Sequence, residues 1–111
     1  MGSTSVTLRA GDVFYASLDP TRGTEQRGTR PVVVISEIPI GPRVIVIPLT
    51  TTRREWPTRV RVTLHGVEGD AMCERVRTID VSRLAEDRYG TVSPDSLDEM
   101  RRVVARLIGV Y

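Results

Sequence analysis

Apolar residues fall in short blocks separated by polar residues over the first ninety positions, a pattern typical of β-strands. The predicted strands cover residues 13–18, 31–35, 44–47, 59–64, 71–80 and 89–92. Two unbroken apolar runs, Val32–Ile35 and Val44–Ile47, predict strands buried on both faces, whereas residues 59–64 alternate as a half-exposed strand does. We expect Pro48 to end the third strand, and Gly66 with Gly69 to mark a turn.

The apolar period changes after residue 92 and predicts a helix. Ser93 is a favourable N-cap, Pro94 suits the first helical position, and Gly109 supplies a stop. The helical stripe, a core face or an oligomer seam, consists of Leu97, Met100, Val103, Val104, Leu107 and Ile108. Short strands followed by one helix predict a mainly β fold with a C-terminal helix, a small barrel. One domain accounts for residues 1–111, of which residues 1–8 are expected to be flexible.

The side-chain inventory removes several kinds of chemistry. All sixteen cationic residues are arginine, so lysine-based catalysis is excluded. One cysteine, Cys73, excludes an intrachain disulfide, and with the one histidine, His65, it argues against a zinc site. We expect no metal and no cofactor. His65 is expected in a turn, and Cys73 as a small strand residue.

Charge is unevenly distributed along the chain. Residues 1–62 hold nine arginines and five acids, whereas residues 63–111 hold seven arginines and nine acids. A basic front half predicts a polyanion or an acidic protein as partner. There is no run of eighteen apolar residues and no signal-peptide pattern, so we expect no membrane association and a cytoplasmic location.

The predicted strands bring an arginine next to a threonine cluster. If the strands at 31–35 and 44–47 pair as antiparallel neighbours, Arg30 at the start of one lies beside Thr50 at the end of the other. A phosphate could then sit between a guanidinium fork and a hydroxyl. A surface salt bridge is the competing interpretation of Arg30.

Several blocks of the sequence resemble the MazF/PemK family, the toxins of bacterial toxin–antitoxin modules. The similarity spans nearly the whole chain in order, and a Gly-x-Glu-Gln-x-Gly-x-Arg-Pro block is its most specific part. The similar segments are residues 11–20, 23–35, 46–51, 76–80 and 83–84, and the closing helix.

This resemblance implies an SH3-like barrel of the CcdB/MazF type that forms a homodimer. It implies a metal-independent, sequence-specific endoribonuclease acting on single-stranded RNA and neutralised by a cognate antitoxin. Attack by the RNA 2′-OH would leave a 2′,3′-cyclic phosphate and a 5′-OH. The catalytic arginine maps to Arg30 and the threonine to Thr50, with Thr51 as the alternative. Glu25 is implied as general base or substrate contact.

A wider set of residues is implied in RNA binding: Thr24, Gln26, Arg27, Thr51, Thr52, Arg53, Glu74, Arg75 and Arg77. We also expect Arg54, Arg59 and Arg61 to attract phosphates. Trp56 is expected either to stack on a base or to lie in the core or an interface.

Two other functions are compatible with such a barrel. One is a non-enzymatic gyrase poison of the CcdB type, because a shared fold does not fix a function. Its gyrase contact lies in a tryptophan-bearing C-terminal tail, whereas this chain ends in Leu-Ile-Gly-Val-Tyr. The other is a barrel that binds RNA without cutting it.

Overall fold

The computed structural model describes residues 8–18 and 28–110. Seven strands, two short 3-10 helices and one α-helix follow one another in these ranges. They are β1 (Asp12–Ser17), β2 (Thr29–Val34), β3 (Arg43–Thr50), β4 (Arg59–Leu64), β5 (Val67–Met72), a 3-10 helix (Cys73–Arg75), β6 (Arg77–Asp80), a 3-10 helix (Val81–Arg83), β7 (Gly90–Thr91) and α1 (Pro94–Leu107).

The strands form an antiparallel half-barrel with the order β4-β5-β3-β2-β1-β7, and β6 also pairs with β3. The mainly β fold with a C-terminal helix is therefore confirmed. The helix begins as predicted, because the Ser93 side chain caps it and Pro94 follows. Gly109 follows it with φ +93°, a left-handed conformation that favours glycine.

Alternate residues of the central strands enter two separate apolar clusters. Val33 and Ile47 pack in the larger cluster together with Met100 and Val103 of α1. Val32, which precedes Val33 in β2, belongs to the second cluster on the opposite face. The prediction that the unbroken apolar runs are buried on both faces is confirmed.

The prediction of a single strand over residues 71–80 is wrong. Ala71 pairs with Leu49 and Arg77 pairs with Val46, so five residues of one chain segment face only two of β3. The excess is taken up by the 3-10 helix Cys73–Arg75, which places Cys73 in a turn instead of a strand. The interruption lies opposite Ile47 and Pro48.

Pro48 and Gly69, which were predicted to end a strand and to mark a turn, also differ from the prediction. Pro48 does not end its strand, because β3 continues to Thr50. Gly69 lies inside β5, and the turn consists of His65 and Gly66. A side chain at Gly69 would collide with the backbone of Thr50, since a Cβ there would lie 2.6 Å from the Thr50 carbonyl oxygen. Close strand approach, not a turn, therefore requires this glycine.

Candidate functional site

The ends of β2 and β3 bring Arg30 and Thr50 together. The two strands pair in an antiparallel register in which Val32 lies opposite Pro48. Towards the start of β2 and the end of β3, the Arg30 Nη1 donates to the carbonyl oxygen of Leu49 at 3.5 Å. The predicted juxtaposition of this arginine with the threonine end of β3 is thus present in the structure.

The hydroxyl of Thr50 is oriented by its own loop. Its Oγ1 accepts a hydrogen bond from the backbone N–H of Thr52 at 3.1 Å. This short-range turn uses one lone pair and leaves the O–H proton available to donate to a bound group. Thr51 and Thr52 are exposed in the same loop, whereas Thr50 is half-buried.

An open cleft of about 500 Å³ joins these two residues to an apolar and aromatic wall. Its lining residues are Tyr15, Thr29, Arg30, Pro31, Leu49, Thr50, Thr51, Val62, Leu64, Val67, Glu68, Gly69 and Tyr89. Arg30 also lines a second depression of about 390 Å³, which contains Arg75 and Arg77. Arg30 therefore stands between a cleft with aromatic walls and a cationic depression.

The arginines of the cationic depression differ from those near β4 in their partners. Within residues 8–18 and 28–110, no carboxylate forms an ion pair with Arg30, Arg75 or Arg77. All three side chains belong to exposed residues. Three cationic groups around one depression give it a positive potential that attracts anions.

Arg59 is held in an internal ion-pair network. Its Nη2 lies 2.8 Å from Glu74 Oε2 and its Nη1 lies 3.5 Å from Asp70 Oδ2. Its side chain is only 7 % exposed, which makes the predicted role of Arg59 in attracting phosphates wrong. The carboxylate hydrogen bonds, opposed in part by burial, raise the pKa of Arg59.

Glu74, one of the residues implied in RNA binding, is also engaged in this network. Burial disfavours its ionisation, but hydrogen bonds from Arg59 and Thr58 outweigh that effect and lower the pKa of Glu74. The Thr58 hydroxyl donates to Glu74 Oε1 at 2.8 Å. Glu74 therefore fixes the loop after β3 to the 3-10 helix before β6.

Asp70 also holds the loop that follows β3. Its carboxylate is 4 % exposed and accepts the backbone N–H of Arg54 at 2.8 Å. Arg53 lies 3.5 Å from Asp70 and 3.0 Å from Glu68, so its guanidinium is paired as well. The loop that follows Thr50 is thus held by the buried carboxylate of Asp70.

Comparison with known proteins identifies the family of this chain. A family model described as a PemK-like, MazF-like toxin of type II toxin–antitoxin systems matches residues 9–108. The chain belongs to this toxin family. It is 30% identical over 102 residues to the endoribonuclease toxin MazF of Escherichia coli K12, covering 89% of this chain and 92% of that protein. It is 31% identical to the endoribonuclease MazF of Staphylococcus saprophyticus, covering 94% and 93%.

Solved structures of similar chains give the same fold for this MazF-like toxin. MazF of Deinococcus radiodurans superimposes with a TM-score of 0.79 at 25% identity, covering 96% of this chain and 100% of that chain. A mycobacterial endoribonuclease in complex with its cognate antitoxin gives a TM-score of 0.77 at 23% identity, covering 95% and 98%. A MazE–MazF structure from D. radiodurans gives 0.77 at 21% identity, covering 96% and 100%.

Four residues that the family resemblance implies in catalysis or RNA binding lie outside the part of the chain that the structure describes. They are Thr24, Glu25, Gln26 and Arg27, all in the segment between β1 and β2. Their roles, and that of Glu25 as general base, stay predictions. Among residues 8–18 and 28–110 no group of three or more His, Cys, Asp or Glu side chains is placed to hold a metal ion. In those ranges, no helix is long and apolar enough to cross a membrane.

Trp56 is exposed on the loop after β3. Its ring receives the guanidinium of Arg59 at 4.5 Å and that of Arg54 at 5.3 Å from the ring centroid. With 49% of the residue exposed, Trp56 does not belong to the core of this chain. Base stacking and an intermolecular interface stay open for it.

Two tyrosines of the cleft were missed in the sequence interpretation. Tyr15 lies opposite Pro31 in the β1–β2 register, and Tyr89 lies beside it although the two are far apart in the sequence. The alternation of β1 carried a signal for Tyr15, because it places a large aromatic residue one position from the Arg30 pairing site. No local pattern places Tyr89 there.

Proposed function

We propose that the chain is a metal-independent endoribonuclease toxin that cuts single-stranded RNA at specific sequences. The observation that carries this proposal is the placement of Arg30 and the Thr50 hydroxyl at one end of an open cleft. The curated relatives named above are endoribonucleases, which supports RNA as the substrate. We also propose a cytoplasmic location for this activity.

The reaction uses a nucleophile that the RNA itself supplies. The 2′-oxygen attacks the adjacent phosphorus while the bond from phosphorus to the 5′-oxygen breaks. The products are a 2′,3′-cyclic phosphate and a 5′-OH. The 2′-OH proton passes to a general base, for which Glu25 is the candidate, and the departing 5′-oxygen takes up a proton. One proton is removed and one is added, so the step needs no other reactant.

Arg30 and Thr50 stabilise the charge that develops on the phosphoryl oxygens. Arg30 uses one donor on the Leu49 carbonyl and keeps other N–H groups for a phosphate. Thr50 donates its O–H from a position set by the Thr52 N–H. Because arginine is a poor acid, we assign Arg30 to charge stabilisation and not to proton delivery. Removal of one such donor typically lowers the rate by about 100-fold or more.

RNA continues from the cleft into the cationic depression. Arg75 and Arg77 bind phosphates there, because neither guanidinium is paired with a carboxylate of the described residues. Thr51 and Thr52 line the path of the strand. Arg53 and Glu74 contribute less than the resemblance implies, since each is committed to an ion pair. The remaining contacts fall to Thr24, Gln26 and Arg27.

The partners of this toxin follow from the same surface. Two of the similar solved structures contain an antitoxin or MazE bound to the toxin. We infer that an acidic segment of a cognate antitoxin covers Arg30, Arg75 and Arg77. We also infer a homodimer, which sedimentation equilibrium of the purified chain tests directly.

The decisive experiment is cleavage of a long single-stranded RNA in excess EDTA, with the cut ends mapped. Arg30→Ala should lower cutting by at least 100-fold with an unchanged circular dichroism spectrum. Arg102→Ala, an exposed arginine of α1 outside both depressions, is the matched control and should cut normally. A requirement for Mg²⁺, or full activity of Arg30→Ala, contradicts the proposed mechanism.

A further inference from the structure

The turn between β4 and β5 holds a residue that its backbone does not favour. Leu64 pairs with Val67, so His65 and Gly66 form a two-residue hairpin loop. Both have positive φ, +50° for His65 and +79° for Gly66. Such loops strongly prefer Asn-Gly or Asp-Gly, so histidine is an uncommon residue at this position. An unfavourable backbone position occupied by a large ring points to a role for that ring.

The ring of His65 contacts both the backbone and the ring of Tyr89. Its Nε2 lies 2.6 Å from the carbonyl oxygen of Tyr89, and the two rings meet edge to face at 4.7 Å. Tyr89 in turn meets Tyr15 edge to face at 5.1 Å. Three aromatic rings from the β4–β5 turn, the segment before β7 and β1 therefore form one row.

The backbone fixes both tyrosines of this row. The Tyr89 N–H donates to the Val13 carbonyl at 2.7 Å, and the Tyr15 carbonyl accepts the Ala85 N–H at 2.8 Å. The row does not fill a core, because each tyrosine is 39% exposed. An edge-to-face contact covers a face of only one ring, so the two contacts cover at most two of the four tyrosine faces.

The exposed part of this row opens into the candidate active site. Tyr15 and Tyr89 line the same cleft as Arg30 and Thr50. Tyr15 stands opposite Pro31, the residue that follows Arg30 in β2. The same cleft therefore offers a cationic group for a phosphate and two aromatic rings for a base.

We propose that Tyr15 and Tyr89 form a stacking platform for an unpaired base next to the scissile phosphate, with His65 as the residue that positions Tyr89. This inference rests on the proposed ribonuclease function and deepens it. Proteins bind single-stranded RNA by stacking its bases on aromatic side chains, and such stacking tolerates any base. The platform therefore supplies affinity and alignment, and sequence identity is read by other residues.

Binding to RNA that cannot be cut tests the platform separately from catalysis. The probe is a fluorescein-labelled, fully 2′-O-methylated ten-nucleotide RNA of randomised sequence, titrated by fluorescence anisotropy. Tyr15→Leu and Tyr89→Leu should each weaken binding by about 5- to 100-fold, because loss of one base–aromatic stacking contact typically lowers affinity by roughly that factor. Tyr15→Phe and Tyr89→Phe keep the π-face and should bind within about twofold of the wild type. Equal binding by the leucine and phenylalanine variants overturns the platform.

An abasic substrate identifies the stacked nucleotide. Once the cut site is mapped, one base at a time is removed on either side of the scissile phosphate. Removal of the stacked base should slow the wild type and leave the already slow Tyr89→Leu variant unchanged. If base removal slows the Tyr89→Leu variant by the same factor as the wild type at every position, stacking on Tyr89 is contradicted. A wild type that binds the RNA probe but never cuts refutes the nuclease function, while the anisotropy titration still decides the platform.

His65→Asn isolates the positioning role. Asparagine suits the turn, so the melting temperature should stay the same or rise. RNA affinity should nevertheless fall by about two- to fivefold, and the loss should vanish when Tyr89→Leu is already present. Unchanged affinity of His65→Asn, or an equal loss in the Tyr89→Leu background, excludes action through Tyr89.

Discussion

Gly69 sets the position of Thr50, and its substitution by alanine tests how finely the site is built. A Cβ at residue 69 would lie 2.6 Å from the Thr50 carbonyl oxygen and 3.4 Å from its carbonyl carbon. Both are backbone atoms, so no side chain can rotate away. Relief of the contact needs a separation larger by roughly 0.4–0.8 Å between β5 and the end of β3.

The displacement falls on Thr50 because the register beside it is fixed. Leu49 pairs with the buried Ala71 in the core, so the strand ends are the part that can yield. Misplacement of a catalytic group by about 1 Å can lower a rate by about 100-fold. For Gly69→Ala we therefore expect a 10- to 100-fold lower rate of cleavage. Overpacking of this kind costs about 1–3 kcal/mol of folding free energy.

Single-turnover cleavage separates this effect from a loss of stability. Gly41→Ala is the matched control, because Gly41 has φ +64° and no atom near its missing side chain. That variant should lose about 1 kcal/mol of stability through its left-handed backbone and cut normally. Gly69→Ala should bind uncleavable RNA within about threefold of the wild type. The reasoning is refuted if both glycine variants cut at the wild-type rate.

Three further predictions concern the charged network, the thiol and the cationic depression. The folded-state pKa of Glu74 is lowered, so its stabilisation is present above its usual value of 4.5 and disappears as the pH falls below it. The melting-temperature gap between wild type and Glu74→Gln should therefore narrow as the pH falls below 4.5. Burial, with Glu74 and Glu99 nearby, raises the pKa of Cys73 to about 12, so an aromatic disulfide reagent at pH 8 should react with it only after denaturation. Arg75→Ala should reduce the slope of log affinity for RNA against log salt by about 0.7, while Arg102→Ala should leave it unchanged.

The elements of this fold were predictable where the signal is local. The apolar runs of β2 and β3 and the capped start of α1 each reside in a few consecutive residues. Arg30 beside Thr50 also followed, because one antiparallel pairing was enough to place both. These features need no knowledge of distant residues.

The parts that escaped prediction depend on register between distant segments. The 3-10 helix at Cys73–Arg75 exists because β3 offers too few partners, a mismatch visible only after pairing. Gly69 resembles a turn residue until Thr50 is placed against it. Arg59 alternates like a surface residue of β4, yet carboxylates from two other elements cover its guanidinium.

Two of the sixteen arginines make contacts that lysine could not reproduce. Arg59 donates from Nε and Nη2 to Glu74 while its Nη1 reaches Asp70, a spread of donors that a single ammonium cannot match. Arg30 lines the cleft, uses one donor on the Leu49 carbonyl and keeps its other N–H groups. Lysine at either position would keep the charge and lose the geometry. One arginine therefore helps to hold the loop that follows Thr50, and the other lines the cleft in which we propose that RNA binds.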